Sequence, residues 1–519
     1  ADSANSYIRN STNSGPINIS HNDFADNLHD GTAMYYRVGG ISGWTQNYIE
    51  NCNNLKGGTI TCTGNIHQCD ESIYSVCIGG LVGYKTVSEV CNSHNDADVI
   101  SKINMTTNEG YALGDVRLNI GGITGYNHLA CSNITNNGTV SVEGNLAGQL
   151  RLGGVCGHSN GVSENLPVSD NCVNNGKVIV KSGTRIGYQM MVGGVASYLH
   201  KNINCTNNGS VIIEDNVQWG YTHAYIGGVA AYTCGLSENM TNNGPVTIGK
   251  NCSFSSASPE YLYFGGVIGQ LYSDADGIVN TEKGVITLEE STYASYVLGG
   301  GCIGTAPATN AKATAQVNFF IKNVTNYAAI NSYASHSGKY GFYIGGCFGY
   351  LYEEKLNDAL TSPDVDNAHN YGPVTIKGDD HYTVKIGGIA SYIGGLSTNL
   401  HNHETGTINI DVTTRGTIQV GGVSQAIKDT VSDITNDGDI TINGTSVGTV
   451  YVGGCIKDPH NYKRTNCVNN GDITINAKSD TGCFVGGITY DGGAKNYFTD
   501  CHNTGNITFS EEACQAKYL

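Results

Sequence analysis

Three acidic groupings carry the residue types that glycan chemistry uses: Asp274/Asp276 in Tyr-Ser-Asp-Ala-Asp-Gly, Asp364/Asp366, and Asp379/Asp380 beside His381. Clustered carboxylates can divide acid and base work across a glycosidic bond, and a basic residue beside a metal-binding carboxylate can do related work. Each grouping, however, falls in a turn or an excursion, where Asp is expected for backbone reasons. The seven Arg are scattered, and no Asp recurs at one offset in neighbouring repeats. Asp-x-Asp-Gly alone is a fragment of a calcium loop without its distant Glu. The residues therefore predict no catalysis, and a calcium-requiring repeat is a still weaker alternative.

Eighteen Cys invite a disulfide reading. Their positions favour another one. Cys52, Cys172, Cys205, Cys467 and Cys501 share a slot that Met240 or Ile434 fills in other repeats, and Cys347 and Cys455 share a second apolar slot. These are expected to be small hydrophobes stacked in the core. Disulfides are more plausible outside the register, among Cys62, Cys69, Cys77 and Cys91, or between Cys234 and Cys252. No His/Cys pairing has zinc spacing, so neither a metal nor a cofactor is expected.

An aromatic residue recurs five positions after the first glycine of a repeated Gly-Gly pair: Trp44, Tyr84, Tyr126, Tyr198, Tyr232, Tyr350 and Tyr392, with His158 standing in once. The parity suggests an outward or corner column. Such a column either stacks on itself from repeat to repeat or offers a platform to sugar rings, and self-stacking is favoured. Twelve Asn-x-Ser/Thr sequons, at Asn10, Asn18, Asn104, Asn133, Asn137, Asn204, Asn208, Asn239, Asn251, Asn323, Asn443 and Asn506, are candidates for glycosylation in a secreted eukaryotic chain. Asn133 and Asn239 are best placed, because strand alternation points them outward.

These positions are spaced by a repeat. Gly-Gly pairs begin at Gly39, Gly79, Gly121, Gly153, Gly193, Gly227, Gly265, Gly299, Gly345, Gly387, Gly421, Gly453 and Gly486, from 32 to 46 residues apart. The residue before each pair is apolar and the one after it usually is. Two positions three apart face the same way only if the glycines form a bulge or corner. Interleaved with the pairs is apolar-x-Asn-x-Gly followed by alternating β-branched residues, as in Cys172 to Gly176 and then Val178-Ile179-Val180. The paired turn asparagines (Asn136/Asn137, Asn174/Asn175, Asn207/Asn208) should form amide ladders. The expected fold is all-β: a single parallel, right-handed β-helix over residues 1–519, about thirteen coils with three strands each, roughly 60 Å long at about 4.8 Å per coil.

Composition agrees with many tight turns joining short strands. The chain of 519 residues has 71 Gly and 57 Asn, but only 27 Lys and Arg. A net charge of −17 with no basic stripe argues against nucleic acid as a partner. No apolar run is long enough to span a membrane.

The segments Cys77-Ile78-Gly79-Gly80-Leu81-Val82-Gly83-Tyr84 and Asn119-Ile120-Gly121-Gly122-Ile123-Thr124-Gly125-Tyr126 resemble the GLUG-type repeat of microbial surface proteins. Gly-Gly-Gly-Cys at 299–302 and Gly-Gly-Val-Ser at 421–424 depart from it by lacking the closing glycine. The resemblance implies secretion, an extracellular or cell-surface location, and adhesion or scaffolding in a stalk or fibril. It carries no catalytic residues to transfer.

The repeat spacing would place another Gly-Gly just beyond Leu519 and one before Ala1. The array is therefore expected to be a window of a longer one or a filament subunit that stacks on itself head to tail. Glycans or other cell-surface components are the remaining expected partners. The alternative function is that of a polysaccharide-binding or polysaccharide-degrading β-helix.

Overall fold

The computed structural model describes residues 6–22, 36–68, 76–86, 88–107, 116–129, 131–159, 169–220, 223–254, 260–292, 294–307, 319–335, 341–352, 354–356, 359–458, 462–491, 497–511 and 513. The chain divides into two compact units, 1–260 and 261–519. Each is a solenoid of parallel strands in which one coil hydrogen-bonds to the next. Among the described residues there is no helix, and one antiparallel pair, Glu354–Leu356 with Ala359–Thr361, interrupts the parallel rule.

A coil has four strand positions, not the three expected from the sequence. In the first unit one coil runs through Arg117–Gly121, Thr124–Asn127, Cys131–Asn136 and Val140–Glu143. In the second, another runs through Val384–Gly387, Ala390–Ile393, Ser397–Asn402 and Ile408–Thr414. The extra strand is the segment after the Gly-Gly pair. Its residues pair coil to coil, as in Val82↔Thr124 and Tyr84↔Tyr126, so the pair separates two strands instead of bending one.

The corner explains the apolar positions three apart. Ile78 before the pair and Leu81 after it are both fully buried. The third glycine of the motif has its own reason. A Cβ on Gly125 would sit 2.6 Å from the Ile78 backbone nitrogen of the adjacent coil, so the second strand can close onto that coil's first strand only where the side chain is absent.

One copy of the motif sits a residue later than its sequence suggests. Gly300 pairs with Gly265 on one side and Gly345 on the other, so the corner is Gly300-Gly301 and Gly304 is its closing glycine. Gly299 takes the slot filled elsewhere by an apolar side chain. A Cβ there would lie inside the ring of Phe264, which fills the space from the neighbouring coil.

The buried asparagines form continuous ladders. In the first unit the half-buried Asn13 and the buried Asn54, Asn95, Asn136, Asn174 and Asn207 each donate Nδ2 to the next Oδ1, as far as Asn242, at 2.7–2.9 Å. In the second, Asn280, Asn326, Asn370, Asn402, Asn436 and Asn469 do so at 2.7–3.0 Å, the last bond ending on the exposed Asn503. The second Nδ2 hydrogen turns back to a carbonyl of the same turn, as from Asn174 to Gly176 at 2.8 Å. The outer asparagines form a separate exposed ladder that donates in the opposite sense, Asn208 to Asn175 to Asn137, at 2.8 Å.

The apolar slots hold cysteines as expected: Cys52, Cys172, Cys205, Cys347, Cys455 and Cys467 are buried, and Cys501 is half-buried. Burial raises the Cys347 and Cys455 thiols well above their ordinary range, which keeps them protonated and apolar. The disulfide candidates stand as thiols. Cys62, Cys91 and Cys252 are unbridged, Cys77 accepts from Asn119, and Cys234 shares a hydrogen bond with Tyr198. Cys69 lies outside the described residues.

Replacing Asn174 by Ala leaves Asn136 Nδ2 and Asn207 Oδ1 each short of a partner in a buried setting. The expected loss is about 2–6 kcal/mol at roughly 1–3 per stranded group. Asn175→Ala, one residue away on the exposed ladder, should stay within about 0.5 kcal/mol of wild type. Urea unfolding of both variants checks the contrast.

Candidate functional site

Strand alternation places the aromatic column on the outer side of the strand that follows the glycine corner. The outer side chains of the preceding strand fold over it. Arg37 lies 4.0 Å above the Tyr84 ring, and Arg151 Nη1 donates to His158 Nδ1 at 2.8 Å. The expected outward column is therefore largely covered: Tyr84, Tyr126, His158 and Tyr392 are buried, and Tyr198, Tyr232 and Tyr350 are half-buried.

Within the first unit the rings stack in sequence. Centroid separations are 5.2 Å for Tyr84–Tyr126, 5.0 Å for Tyr126–His158, 4.5 Å for His158–Tyr198 and 4.9 Å for Tyr198–Tyr232. Trp44, in register with Tyr84, is the exception at 52% exposed. In the second unit Tyr350 and Tyr392 stack at 4.3 Å, and the column is interrupted by Gln270, Thr305 and Ala426. The ring faces are thus occupied mainly by one another.

The acidic groupings serve contacts between coils. Asp274 Oδ1 accepts from the Phe320 backbone at 2.8 Å, and Asp276 Oδ1 from Asn323 Nδ2 at 2.6 Å. Asp364 Oδ1 accepts from the Leu396 backbone and Asp366 Oδ1 from Asn399 Nδ2, both at 3.0 Å. Asp380 pairs with Arg415, and His381 is buried. Asp379 lines a cleft of about 360 Å³ with Glu290, Tyr333 and Lys377.

All twelve sequon asparagines lie at the surface or partly so: Asn104 and Asn443 are half-buried and the other ten are exposed. Asn133 and Asn239 project outward as expected, at a left-handed bend with φ of 51° and 53°. Their amides also bridge coils, to Asn92 at 3.1 Å and Asn204 at 3.2 Å.

The expectation that no residues are spaced to hold a metal needs correction. In the second unit His369, His401 and His403 each bring a ring nitrogen within 4.8 Å of the others. His369 and His401 are register partners on adjacent strands, 32 positions apart in sequence, and His403 occupies the turn just beyond. His369 Nδ1 lies 3.0 Å from His403 Nε2, and the His401 and His403 rings stack at 3.6 Å. Tyr371 stacks on the His403 ring at 3.8 Å.

Two outer partners hold the rings. Asn367 Oδ1 is 2.8 Å from His369 Nε2, and Asp437 Oδ2 is 2.5 Å from His401 Nε2. Asp437 is itself fixed by Asn470 Nδ2 at 2.8 Å. Burial and the two neighbouring imidazoles push His403 down to about 4, which keeps it neutral near pH 7. The cluster was legible only as His401-x-His403 with a further histidine one coil earlier. Zinc-type spacing within a single segment could not reveal it. Comparison with models of known protein families, with characterised proteins and with solved structures gives no match.

His158 supplies a pH dependence. Burial, and then the Arg151 charge, hold it well below its ordinary value of 6.5, so it is neutral in the folded chain. Below about pH 6.5 the unfolded chain takes up a proton that the folded one does not. This contribution is complete above that pH and declines as the pH falls. His158→Tyr, which puts the column's usual residue there, should remove about 1 kcal/mol of the stability lost between pH 6.5 and 5.5. Denaturation of both proteins across that range measures it.

Proposed function

We propose that the chain is a non-enzymatic extracellular repeat protein that serves a structural and adhesive role at a cell surface. One observation carries the reading: four of the six carboxylates that could act on a glycan, and most of the aromatic column, are engaged in holding coil to coil. The carboxylates of Asp274, Asp276, Asp364 and Asp366 accept hydrogen bonds from the next coil, and the aromatic faces cover one another. A surface with ten exposed sequons suits an extracellular setting. The GLUG-like glycine motif at 77–84 and 119–126 points the same way. Right-handed winding follows from the usual sense of parallel crossovers.

The second reading, a polysaccharide-binding or polysaccharide-degrading solenoid, has the cleft beside Asp379 in its favour. Glu290, Tyr333, Lys377 and Asp379 combine acid, base and an aromatic edge in about 360 Å³. A glycan array coupled to turnover assays on acidic polysaccharides separates the two. No chain cleavage is expected. Turnover abolished by Asp379→Ala or Asp274→Ala would overturn the structural reading.

A further inference from the structure

We propose that His369, His401 and His403 form a binding site for a divalent transition-metal ion of the zinc–copper class. The donor set is imidazole nitrogen alone, the chemistry that suits zinc, copper and nickel, and not the hard oxygen-seeking calcium or magnesium. A tetrahedral zinc ion with bonds of about 2.0–2.1 Å sets its ligand nitrogens roughly 3.3 Å apart. His369 Nδ1 and His403 Nε2 already stand 3.0 Å apart, and all three donors lie within 4.8 Å of one another. Completing the triangle requires the stacked His401 and His403 rings to tilt until their in-plane lone pairs converge on the ion.

The surroundings are those of a metal site with its outer partners in place. Metal-bound histidines characteristically donate their second ring N–H to a carboxylate or carbonyl oxygen. Asn367 Nδ2 donates to Asn323 Oδ1 at 2.7 Å, so its Oδ1 faces His369 Nε2 as an acceptor. That places the His369 proton on Nε2 and the lone pair on Nδ1, the nitrogen directed at His403. Asp437 plays the corresponding part for His401 Nε2, with its other oxygen anchored by Asn470. Two rings are therefore fixed in ligating tautomers, and Tyr371 stacks against the third.

Packing does not demand histidine at these positions. In register with His369 and His401, the flanking strands carry Thr325 and Thr435. Asn470 stands at the turn position of His403 two coils further on. All three histidines are half-buried, so an ion can reach them from solvent.

The test uses the tag-free full chain, stripped with EDTA and titrated with zinc chloride and with copper sulfate by calorimetry. One tight equivalent of each metal is expected. Copper-loaded protein should show nitrogen hyperfine splitting from several imidazoles by electron paramagnetic resonance. His369→Thr, His401→Thr and His403→Asn each install a residue already used at that position in a nearby coil, and circular dichroism checks their fold. Each should weaken the tight equivalent at least tenfold and reduce the number of coupled nitrogens. Asp437→Asn should weaken it by about 10–100-fold, the usual range for an outer partner. His94→Asn, in the other unit, should change nothing. Absence of a tight equivalent in wild type, or equal binding by the three histidine variants, would overturn the proposal.

Discussion

Everything in each solenoid depends on the contact between the second glycine of a corner and a buried asparagine amide. A Cβ on Gly122 would collide with the amide of Asn136, and one on Gly388 would approach the Asn402 amide within 2.6 Å. The same collision would carry the side chain into the next glycine's carbonyl, Gly154 or Gly422. One absent side chain therefore admits two things at once: the neighbouring coil and the amide that pins the opposite turn. The asparagine must be buried for this to work, and a buried amide is tolerated only when its donors and acceptor are satisfied. The ladder satisfies them, with one bond forward, one bond back and one to its own turn.

The cross-section then divides into two interiors with different chemistry. Inside the coil, Val, Ile, Leu and thiols fill the lumen. Outside the glycine corner a second packed zone is made of stacked rings with Arg37, Arg151 and Lys385 laid against them. Arg151 is 6% exposed, and its partner His158 is neutral, so the guanidinium is hydrogen-bonded without a counter-charge from that side. Burial likewise lowers Lys85 to about 8. A chain poor in Lys and Arg thus places several of them, Lys85, Arg151, Lys457 and Arg464, where water is scarce.

Much of this was legible in sequence, because a period-two strand and a glycine corner leave marks on one segment at a time. The parallel stacking, the core cysteines and the asparagine ladders follow from Gly-Gly, Asn-x-Gly and the β-branched alternation alone. The fourth strand was not legible, since a four-residue segment after a corner is too short to show its own period. Nor was the register at Gly299: three consecutive glycines are equivalent on paper, and only the Phe264 ring, supplied by another coil, decides between them. The histidine cluster failed to appear for the same reason. Its members belong to different coils, and their proximity is a property of the stacking and not of any one segment.

The glycine–asparagine contact fixes two points of each coil while leaving the chain between them unconstrained in length. Gly122 precedes Asn136 by 14 positions, whereas Gly301 precedes Asn326 by 25, and both pairs make the same contact. The longer stretch leaves the register of the coils on either side intact, with Asn326 still paired to Asn280 and Asn370. Chain length between these two points is therefore free to vary from coil to coil, so new surface can be acquired there without rebuilding the stack.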